Sequence, residues 1–314
     1  SYDESVIRVE GNDPVLPVTE VVQYGEGDVE HWHTQTHLQE EISFLDVMFV
    51  VDNSGSMNIF QQELASQMNT FMSVFDSSGA DYHLAVITTD EARFVPFDGL
   101  TWIDQTHPDP VFWMQNVIAS IGIRGSGMET GIEMAKYALE GDAAPGGGYY
   151  RESATMVIIY VSDEPDHSSG GHSLYHNFFD NFKLSPSLMR QFAVIGDHPT
   201  GCSFSYSNFS RNIQFGEGYY DLTQRYNGDW YSICATDWGQ QMQSLANTVT
   251  TRRFFNLDEP DPIESTITVT VNGQVTNKWS YDAHVNAVVF DEDSIPLPNQ
   301  TIQIDYAVWG CGDE

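Results

Sequence analysis

Three oxygen-bearing side chains stand at alternate positions directly behind an apolar run of the sequence. Asp52, Ser54 and Ser56 follow residues 47–51, which read Val-Met-Phe-Val-Val. One carboxylate and two hydroxyls are hard oxygen ligands, and Gly55 between them allows the backbone to turn tightly around a bound ion. The segment therefore predicts a loop that holds a divalent cation.

A second acidic segment follows another apolar run. Residues 156–161 are apolar and lead to Asp163, with Glu164 and Asp166 close behind. Like charges at this density repel one another unless a cation or water lies between them. Glu164 and Asp166 are therefore candidates for an accessory Ca²⁺ site, and a solvated acidic loop is the alternative.

The elements that must position these residues are four apolar runs that each end in Asp. They span 47–51, 84–89, 156–162 and 192–196, and they lead to Asp52, Asp90, Asp163 and Asp197. Continuous apolar runs are typical of strands buried on both faces. Segments with helical spacing lie between them, so we expect an α/β fold with a doubly wound, mostly parallel sheet flanked by helices. Ligands of such sheets bind at the carboxyl ends of the strands, where Asp90 would either support the metal site or serve as a turn residue.

The hydrophobic pattern changes to period two near the end of the chain. Ile267, Val269 and Val271 alternate before an Asn272-Gly273 pair, which predicts a hairpin. Further strands are expected at 275–281, 287–290 and 302–308. We therefore divide the chain into an N-terminal arm or β extension, a main α/β domain and a small antiparallel β module, at residues 1–42, 43–256 and 257–314. The last helix of the main domain should begin after Thr236 or Asp237, since either is a good N-cap.

This combination of loops and strands resembles the von Willebrand factor A domain with its metal-ion-dependent adhesion site. The resemblance covers roughly residues 44 to 255. It implies that Asp52, Ser54 and Ser56 of the first loop hold Mg²⁺, or alternatively Ca²⁺ or Mn²⁺, together with Asp163 of the third loop.

The second loop of that family supplies a Thr, and here the sequence departs from the pattern. The loop 125–131 places Met128 at the expected position. Glu129, Thr130 or Ser126 must then substitute, and we favour Glu129, followed by Thr130. A directly bound carboxylate would reduce the pull of the ion on an outside ligand and would make the site more tolerant of Ca²⁺.

The resemblance also implies a function. We expect a divalent-cation-dependent adhesion module that captures an Asp or Glu carboxylate of a partner protein, as in extracellular or lipoprotein A-domain proteins of bacteria. The expected location is extracellular or at the cell surface, either secreted or lipoprotein-anchored. The alternative is a structural component of a surface appendage or virus particle, with a metal that stabilises the fold and a location on the virion surface.

Composition excludes several partners. Twelve Lys and Arg residues against 45 Asp and Glu give a formal charge of −33, which repels nucleic acid and anionic membrane surfaces. No run approaches the roughly 18 apolar residues of a membrane span, so direct membrane insertion is not expected. Of three cysteines, Cys202 and Cys234 are the expected disulfide pair, because both lie in polar segments rich in Gly and Ser. Three free or buried thiols are the alternative.

The histidines suggest other metal chemistry only weakly. His31, His33 and His37 would share one face of an extended strand, either as a transition-metal site or, preferably, as part of a polar outer face. His172 and His176 have the helical spacing of a zinc pair, but no Glu stands beside His172. No nucleophile elbow, P-loop or dinucleotide motif is present in the sequence. We therefore expect a binding protein rather than an enzyme, with a metal-dependent hydrolase as the weakest interpretation.

Overall fold

The computed structural model describes residues 28–39, 44–206, 209–283, 286–291, 294–297 and 299–311. Residues 1–27 and 40–42 of the predicted arm lie outside the described residues. The helices are α1 (Asn58–Ser78), α2 (Pro110–Ile121), α3 (Gly131–Glu140), α4 (His172–Phe182), α5 (Tyr219–Arg225) and α6 (Trp238–Thr250). The strands are β1 (Asp28–Leu38), β2 (Phe44–Val51), β3 (Asp81–Thr88), β4 (Trp102–Asp104), β5 (Thr155–Val161), β6 (Met189–Ile195), β7 (Cys202–Tyr206), β8 (Phe209–Ile213), β9 (Trp230–Ser232), β10 (Phe254–Asn256), β11 (Thr268–Val271), β12 (Gln274–Thr276), β13 (Trp279–Asp282), β14 (Ala287–Phe290) and β15 (Thr301–Cys311).

The main sheet has six strands in the order β4-β3-β2-β5-β6-β9. All neighbours in it are parallel except the pair of β3 and β4. Side chains of the central strand β2 alternate between two cores: Val47, Phe49 and Val51 face α1, α2 and α6, whereas Met48 and Val50 face α3, α4 and α5. Because both faces are covered by helices, the predicted α/β fold with a doubly wound, mostly parallel sheet is confirmed.

Local sequence signals mark the ends of the helices. The carboxylate of Asp237 accepts a hydrogen bond from Gln240 N at 3.0 Å, so Asp237 is the N-cap of α6. Asp109 caps α2 in the same way through Phe112 N at 2.9 Å. Helix α1 ends at Ser78 and is capped by Gly79, whose φ of 69° lies in the left-handed region that glycine adopts most easily.

Strand β1 and the C-terminal part of the chain form two small antiparallel sheets. Their strand orders are β1-β15-β11-β12 and β10-β14-β13. The expected hairpin joins β11 and β12 through Asn272 and Gly273, with φ values of 49° and 77°. The single strand expected at 275–281 is wrong, because β12 ends at Thr276, β13 begins at Trp279 and the two strands belong to different sheets. Strand β1 pairs with β15 along its whole length, and β10 lies just before the predicted boundary at residue 257.

Two of the three histidines of β1 pack on aromatic side chains of these small sheets. The ring of His33 stacks on Tyr306 at 5.6 Å, and that of His37 lies 5.4 Å from Phe255. The expected polar outer face is therefore wrong for these two, because their side of the strand packs on aromatic side chains of the small sheets. His31 is exposed. The side chain of His172 lies outside the described residues.

Within the described residues, no helix is long and apolar enough to cross a membrane.

Candidate metal centre

The candidate residues lie where three parallel strands of the main sheet end together. Asp52 N donates to Val161 O at 2.9 Å, and Thr89 N donates to Val51 O at 3.3 Å. These bonds extend the pairing of β2 with β5 and β3 by one residue. The loops that follow the three strands therefore begin side by side.

A chain of hydrogen bonds joins the first loop to the third. Ser54 Oγ lies 2.9 Å from Ser56 Oγ, and Ser56 Oγ donates to Asp163 Oδ1 at 3.0 Å. Asp52 turns the first loop by accepting Ser54 N at 2.7 Å, and its other oxygen accepts Ser162 Oγ at 2.8 Å. The structure thus brings together the four residues that the sequence analysis placed in the first and third loops.

Helix α1 fixes the backbone of this site from behind. Gln61 is buried, and its Nε2 donates to Asp52 O at 2.8 Å and to Gly122 O at 2.9 Å. Since Gly122 follows α2, one side chain holds the first loop against the end of a second helix. The loop therefore has little freedom to change the position of Asp52.

In the middle loop, Glu129 is the residue that reaches the site. Its side chain is fully buried, and Oε2 accepts a hydrogen bond from Thr89 Oγ1. Oε1 is buried without a hydrogen-bond partner among the described residues. Burial, and then the negative charge of Asp52, raises the pKa of Glu129 to about 8. Burial also raises the pKa of Asp52, although hydrogen bonds from the serines partly oppose the effect.

The other two candidates for the middle loop make backbone contacts instead. Thr130 Oγ1 donates to Thr89 O at 2.9 Å. Ser126 N donates to Asp90 Oδ2 at 2.7 Å, so the exposed Asp90 holds the middle loop in place. Of the alternatives that the sequence left open, Glu129 alone has a buried side-chain oxygen without a hydrogen-bond partner in the described part of the chain, and the charge of Asp52 acts on its carboxyl.

Sequence reasoning missed Thr89, which is buried and donates to Glu129. A signal was present, because Thr89 ends an apolar run at the same sheet edge as Asp52. It also missed Arg211 of β8, whose Nη2 forms an ion pair with Asp163 Oδ2. Nothing in the sequence around Arg211 marks it as part of this site.

Glu164 and Asp166, the accessory candidates, have different surroundings. Asp166 Oδ1 accepts Ile132 N at 3.1 Å in the first turn of α3, and both of its oxygens accept hydrogen bonds from Ser168. Asp166 thus ties the third loop to α3. Burial, together with the charge of Asp52, raises the pKa of Glu164. Glu164 therefore lies close enough to Asp52 for the two charges to interact.

The oxygen atoms of this site fit a hard divalent cation if the serine hydroxyls are counted among its ligands. Among the described residues, no group of three or more His, Cys, Asp or Glu side chains is arranged to hold a metal by itself. Here the carboxylates of Asp52 and Asp163 converge with the hydroxyls of Ser54 and Ser56, which are all oxygen ligands. The unpartnered Oε1 of Glu129 and the raised pKa of two neighbouring acids indicate that a positive charge would be stabilised there.

No protein-family profile and no curated protein matches the sequence. Solved structures that resemble the chain include proximal thread matrix protein 1 from the mussel byssus, at 12% identity and a TM-score of 0.40, covering 68% of this chain and 48% of that one. Another is the ArnB paralog VWA2 from Sulfolobus acidocaldarius, also at 12% identity and a TM-score of 0.40, covering 93% of this chain and 64% of that one. The chain thus spans about half of the first protein and less than two thirds of the second. Likeness at this level does not assign the chain to a family.

Proposed function

We propose that this chain is a von Willebrand factor A-type binding module that holds a divalent cation and captures a carboxylate of a partner protein through it. The observation that carries the proposal is the hydrogen-bonded series from Ser54 through Ser56 to Asp163, beside the buried Asp52. Mg²⁺ is the first candidate, and Ca²⁺ or Mn²⁺ are alternatives.

The charged and the neutral side chains of the proposed site would have different roles. Asp52 and Asp163 would neutralise the ion, whereas the serine hydroxyls bind it without neutralising it further. An ion held by few carboxylates keeps a coordination position for an anionic ligand from outside, which is the chemistry that the cation would supply. Glu129, buried and close to Asp52, would add a negative charge when it ionises, so we propose that it shifts the preference toward Ca²⁺.

The proposed role is binding rather than catalysis, outside the cytoplasm. A disulfide joins Cys202 and Cys234, the pair expected from the sequence, and such bonds persist in oxidising compartments. The formal charge of −33 supports a partner other than nucleic acid or an anionic membrane. A secreted or surface-anchored location accords with both features.

Cation binding tests the first half of the proposal. Isothermal titration of the full chain with MgCl₂, CaCl₂ or MnCl₂ should show one site that Asp52→Ala abolishes. Asp109→Ala is the control, because Asp109 is an exposed carboxylate that caps α2 away from the site. Equal cation affinity in Asp52→Ala and the wild type would refute the assignment.

Ligand capture tests the second half. With Mn²⁺ bound, a short peptide that carries one Asp should displace a bound water and lower the water-proton relaxation rate, whereas the same peptide with Asn should not. Chelation should remove this effect while the chain stays folded. If chelation instead melts or disassembles the protein, the metal is structural, and the assembly role in a surface appendage or particle replaces adhesion.

A further inference from the structure

The hairpin of β7 and β8 places an arginine on the candidate metal centre. Its register pairs Phe204 with Arg211 and Cys202 with Ile213. Paired residues of antiparallel strands lie on one face, and side chains alternate between faces along a strand. Phe204, Arg211 and Ile213 therefore share a face of the hairpin, and the two apolar members of this face are buried.

Core contacts hold this face against the main domain. The ring of Phe204 lies 4.7 Å from that of Phe60 in α1. The disulfide from Cys202 to Cys234 ties the start of the hairpin to the segment after β9. As a result, the side chain of Arg211 is only 22% exposed, compared with 80% for Arg93 in a surface pair. The position of Arg211 is set by packing rather than by free rotation in solvent.

Arg211 contacts a carboxylate that the proposed function assigns to the cation. Its Nη2 binds Asp163 Oδ2, while Asp163 Oδ1 accepts Ser56 Oγ. Asp163 is fully buried, and each of its oxygens already has a partner inside the protein. Two positive groups on one buried carboxylate repel each other, because the low local dielectric strengthens the interaction between charges.

We propose that Arg211 is a built-in counter-cation of Asp163, which competes with the divalent cation for this carboxylate and thereby sets the cation affinity of the site. The inference rests on the proposed function. Cation binding must loosen the contact between Arg211 and Asp163, so the hairpin moves or becomes more mobile when the site is filled. The site then has a lower affinity for divalent cations and fills in media where their concentration is high.

The test compares two arginine variants of the full chain by isothermal titration with MgCl₂ and, separately, CaCl₂. Arg211→Gln should tighten cation binding at least about tenfold, equivalent to about 1.4 kcal/mol. Arg93→Gln removes the same charge from an exposed surface pair and should change the affinity less than about twofold. Arg211→Lys keeps the charge but loses the planar fork, and its affinity should lie between those of the wild type and Arg211→Gln.

Hydrogen exchange of the wild type gives an independent measurement that needs no variant. Backbone amides of Phe209–Ile213 should exchange faster when the chain is saturated with CaCl₂ than in a chelator. Unchanged exchange in this strand, or cation affinity in Arg211→Gln equal to or weaker than the wild type, would overturn the inference. If Arg211→Gln does not fold, the exchange measurement decides alone.

The outcome also separates this inference from the proposed function. If the Asp peptide fails to bind but Arg211→Gln still tightens cation binding, adhesion is refuted and the role of Arg211 stands. If the Asp peptide binds but the affinity of Arg211→Gln is unchanged, only the role of Arg211 is refuted. Absence of cation binding in both the wild type and Arg211→Gln refutes both.

Discussion

We expect the buried carboxyl of Glu129 to make the free energy of unfolding fall as pH rises when no divalent cation is present. Its pKa is about 8 in the folded chain, above the ordinary value of 4.5 that it regains on unfolding. Between these two values the folded chain binds more protons than the unfolded one, so the free energy of unfolding decreases with pH. The stabilising contribution of the protonated carboxyl is complete below about pH 4.5 and is lost as pH approaches about 8.

The size of the effect follows from the shift. One pH unit across this window changes the free energy of unfolding by at most about 1.4 kcal/mol. Between about pH 5 and pH 8, ionisation of this one group should therefore lower the free energy of unfolding by on the order of 3 kcal/mol. Glu129→Gln keeps the shape and the bond from Thr89 but cannot ionise. In a chelator, the variant should therefore be more stable than the wild type at about pH 8, and the two should converge at about pH 5.

Urea denaturation at several pH values, followed by circular dichroism, measures this difference. Glu91→Gln is the matched control, since Glu91 is exposed at the same edge of the sheet and forms a surface pair with Arg93. Its pH profile should parallel that of the wild type. If the profile of Glu129→Gln also parallels the wild type, the carboxyl of Glu129 does not carry the pH dependence, and the electrostatic reasoning for the middle loop is wrong.

Two further predictions concern the scaffold. Asp46 is fully buried and accepts hydrogen bonds from Arg151 N and Nε at 2.6 and 2.8 Å. Asp46→Ala leaves the guanidinium group of Arg151, which is only 20% exposed, without its buried partner, so the variant should lower the free energy of unfolding in urea by about 3 kcal/mol. Asp81→Ala, which removes the more exposed partner of the same arginine, should lower the free energy of unfolding by only about 1 kcal/mol, and equal losses for the two variants would contradict this ranking. A Cβ at Gly228 would lie 1.6 Å from Gln191 O, so Gly228→Ala should lower the melting temperature markedly, whereas Gly127→Ala, which meets nothing within 4 Å, should leave it within a few degrees. A tolerated Gly228→Ala would show that the segment after α5 does not lie this close to Gln191 of β6.

Local sequence patterns were enough to predict much of the fold. Apolar runs that end in Asp identified strands of the main sheet, because a strand covered by helices on both faces must be apolar throughout. The capping carboxylate of Asp237 and the Asn272-Gly273 turn act within a few residues, so their effect can be read directly from the chain. The strand predicted at 275–281 was wrong because the chain passes there from one sheet to another, and which strands pair is not a local property of the sequence.

The first loop of the candidate site was also readable from the sequence, since Asp52, Ser54 and Ser56 lie within five positions and their hydrogen bonds are short-range. The rest depends on contacts between distant segments. Thr89 and Glu129 are 40 residues apart, and Arg211 and Asp163 are 48 apart. Packing and strand register decide whether such side chains meet.

The sequence by itself therefore determined the α/β fold class and the oxygen-rich loop at Asp52. Only the tertiary structure decided which residue of the middle loop approaches that loop, because Glu129 and Thr130 differ in where the backbone directs them. It also decided that the hairpin of β7 and β8, which the disulfide from Cys202 to Cys234 anchors, brings Arg211 into contact with Asp163. The charge that a cation would meet at the proposed site thus depends on side chains that folding brings together from separate parts of the chain.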